Sequence, residues 1–476
     1  MSTPNIRKLS RRSLLKLGGL GLGAVGLSPL LQSCASPATP AATGAPTLAM
    51  TEAMKSAPQN LKMSWWGEVE ALGLEKWLND TIAKFKEETG HTIEPTQQAT
   101  EVVISEFQTA SAAKSAPDLQ FLWNAIYHME TAWLGYLEPL NNLLTKEEIW
   151  ATNPTLLSVY QGDVYRTGWY SASLLMLYNK EIFDKAGLNA DVPPKTWDEY
   201  MAACDKIKTA GFIPMSAGLQ DGFWGDWYFT GVQPQNLDTP ADVVDLFIGK
   251  SSWLDPKNYE GWTRLEELWK AGFLNDDMNS IGLYPGVTLF GQGKAGTTML
   301  VTPLIGSQTE LLGGSEKVGA MVIPSFGTGA MAGKPISDCQ GFGISSQSEH
   351  KEVAADFLRF MHTKERVEAI WHDSKALPVD DSFDVNIIED PLLKEVWKTW
   401  VGNSDIVPYL GGLMPVLFWT DASFVNAQKI VTGEWTPEQC AQNAQDVTNK
   451  WIELNPDMVE KYILWTKDLE NFQIQT

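Results

Sequence analysis

Cysteine and histidine are scarce in this chain, four and five of 476 residues, and that scarcity removes whole classes of chemistry. Cys204, Cys339 and Cys440 lie far apart with no CxxC pair, so there is neither a disulfide framework nor a zinc signature. A single disulfide among them stays open. Cys204 falls on the stripe Tyr200, Cys204, Ile207, and Cys440 on the stripe Cys440, Ala444, Val447, Trp451; helical spacing makes both core fillers. His91, His128, His350, His362 and His372 form no HxxxH or HxH pair, which leaves a metal site without support. No Gly-x-Ser-x-Gly elbow, phosphate-cradling loop or dinucleotide fingerprint stands in a strand-turn-helix setting, so no cofactor is expected. Basic residues are also few, 36 against 58 acidic. A body this acidic repels phosphate backbones, which excludes nucleic acid as a partner, and solubility accounts for the charge.

Long apolar runs are missing as well, except at the start. Ser10-Arg11-Arg12-Ser13-Leu14-Leu15-Lys16 leads into the apolar stretch Leu17 to Leu31 and then Leu31-Gln32-Ser33-Cys34. A positive end, an apolar middle and a small residue at the break are the layout of an export signal. The paired arginines resemble the twin-arginine signal, although Leu14 stands where that family often has Phe. Leu-x-Ser-Cys resembles the bacterial lipoprotein box, with Gln32 an uncommon neighbour, and the resemblance implies acylation of Cys34 after cleavage. Residues 1–33 are then the signal and 34–59 a flexible tether, rich in Ala, Pro, Thr and Ser. Cleavage removes Arg7, Lys8, Arg11, Arg12 and Lys16 and no acid, leaving 31 basic against 58 acidic residues and a net charge near −27. No later stretch reaches about 18 uninterrupted apolar residues, so lipid on Cys34 is the expected link to the membrane.

The remaining 400 or more residues suffice for two lobes with sizeable cores. Strand and helix signals alternate in the βα rhythm of an α/β protein. Leu61 to Trp66 reads as a strand, followed by a helical face of Leu74, Leu78, Ile82 and Phe85 that stops at Gly90. Leu119 to Trp123 and Val318 to Ile323 read as strands, and Leu174 to Tyr178 as a strand buried on both faces. Thr196-Trp197-Asp198-Glu199 is a capping box, and Thr436-Pro437 opens a helix with proline at its first position.

Leu177-Tyr178-Asn179-Lys180-Glu181-Ile182-Phe183-Asp184-Lys185-Ala186-Gly187-Leu188, followed by Pro193-Pro194-Lys195-Thr196-Trp197-Asp198-Glu199, resembles a segment of the family-1 extracellular solute-binding proteins of ABC importers, including the maltose-binding type. Gly135 to Leu140, Phe290 to Ala295, Val318-Gly319 with Pro324, Glu352 to Met361 and Gly433 to Glu438 agree in the same order. The resemblance spans about residues 60 to 455. It implies a type II periplasmic-binding-protein fold, with a mixed sheet flanked by helices in each lobe and the ligand in the cleft between them. The lobes are expected at 60–168 plus 305–362 and at 169–304 plus 363–476, with crossings near Trp169 to Ala172, Pro303 to Gly306 and Met361 to Arg366. It further implies a monomeric, non-enzymatic binder whose partners are a sugar or oligosaccharide and the subunits of a permease.

Twenty tryptophans suit a carbohydrate cleft, since an indole face stacks on the C–H face of a sugar ring while acids and amides take its hydroxyls. Mapped through the family motifs, the ligand-binding residues are expected to be Trp66, Glu68, Trp123, Asn124, Tyr127, Trp224, Asp226, Trp227, Thr302, Gln340 and Trp419. Burial in a core is the competing reading for each tryptophan, and it is preferred for Trp77, Trp197, Trp397, Trp451 and Trp465. An exported glycosidase would share these aromatics and acids and needs a carboxyl pair; a cofactor-loaded oxidoreductase lacks its motifs. Glycerol phosphate and polyamines are alternative solutes, and a phosphate would require clustered Arg or Lys.

Overall fold

Nine strands carry the architecture of the computed structural model, which describes residues 51–100, 102–123 and 126–470, with the side chains of 126–128 and 470 excepted. In chain order they are β1 (Asn60–Trp65), β2 (Thr92–Gln97), β3 (Leu119–Leu122), β4 (Thr167–Ser171), β5 (Leu174–Asn179), β6 (Ile213–Ser216), β7 (Ala295–Val301), β8 (Val318–Met321) and β9 (Cys339–Ile344). The first lobe is built on a sheet of order β2-β1-β3-β9-β4, with β1 parallel to β2 and β3, and β9 antiparallel to β3 and β4. The second is built on β8-β5-β7-β6, in which β5 runs antiparallel to both neighbours and β6 is parallel to β7. Both sheets are mixed, as the family resemblance implies. Every residue of β5 is buried, which explains its unbroken apolar run.

Local chemistry sets the helix ends. Helix α1 (Leu74–Thr89) buries Leu74, Trp77, Leu78 and Phe85 and ends at Gly90, whose φ of 79° is the left-handed conformation that glycine adopts without a Cβ clash. Helix α2 (Trp197–Thr209) has both bonds of its Thr196/Glu199 capping box, and its buried stripe holds Tyr200, Cys204 and Ile207. Thr436 and Gln439 form the same box before the helix Pro437–Leu454. Cys204, Cys339 and Cys440 are buried free thiols, so the open disulfide does not form. Of the tryptophans assigned to cores, Trp77, Trp197, Trp451 and Trp465 are buried, whereas Trp397 is only half-buried.

Packing moves three of the expected boundaries. Residues 51–59, assigned to the tether, are packed on the first lobe instead: Met54 is buried, the Thr51 hydroxyl bonds to Asp356, and the His91 ring joins the Gln59 amide to the Ala53 carbonyl. The chain first passes from one sheet to the other at Ala172 and Ser173, between β4 and β5. The second lies later than Pro303 to Gly306, since β8 still pairs with β5 in the second sheet and the chain regains the first sheet only at β9. The third also lies later than Met361 to Arg366. Helix Lys364–Ser374 packs against α1, where the Trp77 indole donates to the Arg366 carbonyl at 2.7 Å, and Leu377 and Pro378 still pair with β4. No described helix is long and apolar enough to cross a membrane.

Candidate functional site

Strand ends from both sheets converge on one cleft. It holds about 620 Å³ of space not filled by protein, part of it open to solvent. From the first lobe come Trp66 and Glu70 after β1, Thr100 after β2, Trp123 after β3 and Gln340 on β9. From the second come Phe223, Asp226 and Trp227 on helix α3 (Phe223–Val232), Leu283 and Tyr284 on helix α4 (Leu283–Gly291), Val301 at the end of β7, and Tyr409 and Trp419. Ala172 lies on the crossing between them.

The aromatic wall is preorganised. The Trp66 indole donates to the Thr100 hydroxyl at 3.0 Å and meets Trp123 edge-on, with ring centroids 5.3 Å apart and planes at 88°. Across the cleft Trp419 packs on Phe223 at 5.6 Å and on Phe424 at 4.7 Å. Helical spacing decides which residues of α3 face the cleft. Phe223, Asp226 and Trp227 stand at i, i+3 and i+4 and share one face, whereas Trp224 and Tyr228 pair at 5.1 Å on the other, where Trp224 is fully buried. Trp224 is therefore a core residue, contrary to expectation.

Two carboxyls face the cleft. Asp226 accepts from the Tyr409 hydroxyl at 2.6 Å through Oδ2, while its buried Oδ1 has no hydrogen-bond partner among the described residues. Burial pushes the Asp226 carboxyl up to about 7, against the lowering influence of Tyr409. Tyr409 reaches it because the backbone at Gly411 lies against α3: the Gly411 amide donates to the Thr230 hydroxyl at 2.8 Å, and a Cβ there would fall 2.2 Å from Asp226 Oδ1. Glu70 Oε2 accepts from the Tyr170 hydroxyl at 2.9 Å and from the Gln340 amide at 3.3 Å, and burial likewise raises Glu70 to about 7. The amide oxygen of Gln340 is buried without a partner among the described residues.

Other expected residues have different roles. Glu68 sits at the start of α1 and accepts from the Gly73 and Glu75 amides at 2.9 and 2.6 Å, supplying the carboxylate that an exposed helix N-terminus attracts. Thr302 is buried behind the cleft, where its hydroxyl donates to the Ser171 carbonyl at 2.9 Å and accepts from the Ser173 amide at 3.2 Å. It ties the end of β7 to the first crossing. Its neighbour Val301 lines the cleft instead. Asn124 and the side chain of Tyr127 lie outside the described residues, as does Cys34. Glu70, Thr100, Phe223, Tyr284 and Tyr409 also line the cleft, and the family motifs do not mark them. For Glu70 the signal was present, since it shares a post-strand loop with Glu68.

Arg166 holds the cleft from behind. Its guanidinium pairs with Asp338 at 3.2 Å, both side chains fully buried, and donates to the carbonyls of Trp123 and Cys339 at 2.8 and 2.7 Å and to the Ser158 and Thr155 hydroxyls at 3.1 and 3.3 Å. Trp123 is thus pinned through its own backbone.

Residues 71–367 match the family model of bacterial extracellular solute-binding proteins. The chain belongs to this family. A relative from Brucella abortus (strain 2308), named as a binding protein, is 27% identical over 411 residues, which is 76% of this chain and 90% of the relative. The sn-glycerol-3-phosphate-binding periplasmic protein UgpB of Agrobacterium fabrum is 30% identical over 186 residues, covering 37% of this chain and 41% of that protein. Among solved structures, a chitin oligosaccharide binding protein superposes with a TM-score of 0.74 at 20% identity over 82% of this chain and 98% of its own. The maltose/maltodextrin-binding domain MalE from Bdellovibrio bacteriovorus, bound to maltotriose, gives 0.64 at 20% identity over 83% of this chain and 100% of its own. These likenesses establish the two-lobed fold of this solute-binding protein.

Proposed function

We propose that the protein captures a sugar or short oligosaccharide outside the cell and delivers it, unchanged, to the permease of an ABC importer. The observation that carries this reading is the cleft itself, in which seven aromatic side chains drawn from both lobes surround two carboxyls and an amide, with no basic side chain among the described residues lining it. Indole faces offer stacking surfaces for pyranose rings, and buried oxygen acceptors match hydroxyl donors. The absence of Arg or Lys from the described lining residues disfavours a phosphorylated solute such as the UgpB ligand. A ligand touching both lobes favours the closed form, which a permease can distinguish from the open one.

Calorimetry against mono- and oligosaccharides should show one site per chain, with the sugar recovered intact. Recovery of hydrolysed sugar would transfer the case to a glycosidase using Glu70 and Asp226. Trp123→Ala and Trp419→Ala should each weaken sugar binding by about 1–3 kcal/mol if stacking on a sugar resembles stacking on a base. Folded variants that bind like the parent would remove these two residues from the site. The proposal also places the protein on the membrane through lipid on Cys34, after a signal of the twin-arginine type. Cys34→Ala should release it into the soluble fraction or block signal processing, as read by fractionation and by mass spectrometry of the mature terminus; retention with an unmodified terminus elsewhere would end the lipoprotein reading.

A further inference from the structure

Among the described residues the charge of the cleft is one-sided. Glu70 and Asp226 face it from opposite lobes, and no described Lys, Arg or His lines it. The hydrogen-bond partners of both carboxyls are neutral: the Tyr170 hydroxyl and Gln340 amide for Glu70, the Tyr409 hydroxyl for Asp226. Two further atoms, Asp226 Oδ1 and Gln340 Oε1, are buried without a partner among the described residues, and each of these residues is only 6% exposed. Gln340 Oε1 is an acceptor, and Asp226 Oδ1 is one in the ionised carboxylate. A buried acceptor left without a donor is costly, so the cleft calls for a ligand rich in donors. A neutral hydroxyl supplies one donor but brings two lone pairs that need donors in turn. An ammonium brings three donors and no acceptor. It also supplies the positive charge that both carboxyls lack, and indole faces such as those of Trp66, Trp123 and Trp419 attract a cation through the ring quadrupole.

We infer that the ligand carries a protonated amine, as an amino-sugar unit does, held by Glu70, Asp226 and the amide oxygen of Gln340 against the tryptophan walls. This rests on the reading of the cleft as the solute site and narrows the class of solute. The chain's net charge of −22 favours encounter with a cation from solution. No covalent step is involved; recognition is by charge and donor count.

The test is calorimetric titration of the mature protein at neutral pH with four probes: the β-1,4-linked glucosamine disaccharide, its N-acetylated counterpart, cellobiose, and spermidine. The glucosamine disaccharide should bind at least tenfold more tightly than either neutral disaccharide, and that preference should fall below about threefold in Asp226→Asn and Glu70→Gln. Equal or tighter binding of the neutral disaccharides by the parent overturns the inference and leaves the sugar-binding reading intact. Persistence of the preference in both variants also overturns it. Binding of spermidine with no disaccharide bound supports the charge argument and removes the sugar reading, and no binding of any probe at millimolar concentration overturns both. The parent's preference decides the matter even if a variant fails to fold.

Discussion

Arg166→Met is expected to cost about 3–5 kcal/mol of stability, the range for breaking a fully buried ion pair by removing one partner. The side chain is wholly buried and paired with a wholly buried Asp338. Methionine retains much of the volume but supplies no donor, so Asp338 stays behind as an uncompensated charge and the Trp123 and Cys339 carbonyls lose their partner. Adding Asp338→Asn should recover part of the loss, because a neutral amide is far cheaper to bury than a carboxylate. Urea titrations of the parent, single and double variants measure this. A single variant within about 1 kcal/mol of the parent, against the expected range for a buried pair, would show that the pair contributes little. Affinity should fall with stability, since Trp123 is held through its own carbonyl.

The stability of Asp226→Asn relative to the parent should depend on pH. In the folded protein the Asp226 carboxyl titrates near 7 because it is buried with one neutral hydroxyl donor. In the unfolded chain an Asp titrates near 4. Between these values the folded state keeps a proton that the unfolded chain has released, so this group's stabilising contribution is complete below about pH 4 and is lost as pH rises to about 7. Three units correspond to about 4 kcal/mol, an upper figure for one residue. Asparagine cannot titrate. The parent should therefore lose stability relative to the variant as pH rises from 4 to 7, with the difference levelling above 7. Glu70 is present in both proteins and cancels in the comparison. A parent-minus-variant difference that stays flat across this window would show that Asp226 is ionised in the folded protein, and with it the case for a poorly solvated carboxyl would fail. Ligand donors reaching Oδ1 should favour the ionised form, so saturation with ligand should reduce the pH dependence.

Much of the architecture was legible in local chemistry. The strand Leu174 to Tyr178, the stop at Gly90, the capping boxes at Thr196 and Thr436 and the core positions of Cys204 and Cys440 are decided by a few neighbouring residues, and those neighbours are adjacent in sequence. Composition and the ordered family motifs likewise indicated an α/β solute-binding protein, and Trp66, Trp123, Asp226, Trp227, Gln340 and Trp419 were all brought to one cleft. Sequence order could not decide which of two nearby acids would reach that cleft. Glu68 turned to the N-terminus of α1 and Glu70 to Tyr170 and Gln340, which are 100 and 270 residues away. Nor could it separate Trp224 from Trp227 without the direction in which α3 packs, or bring Tyr409 to Asp226 across 183 residues. The same limit displaced the second crossing, because the pairing of β8 with β5 joins segments about 140 residues apart. Helix periods and caps are written locally; which face meets the ligand, and which buried polar group finds a partner, is decided only when distant strands are brought into contact.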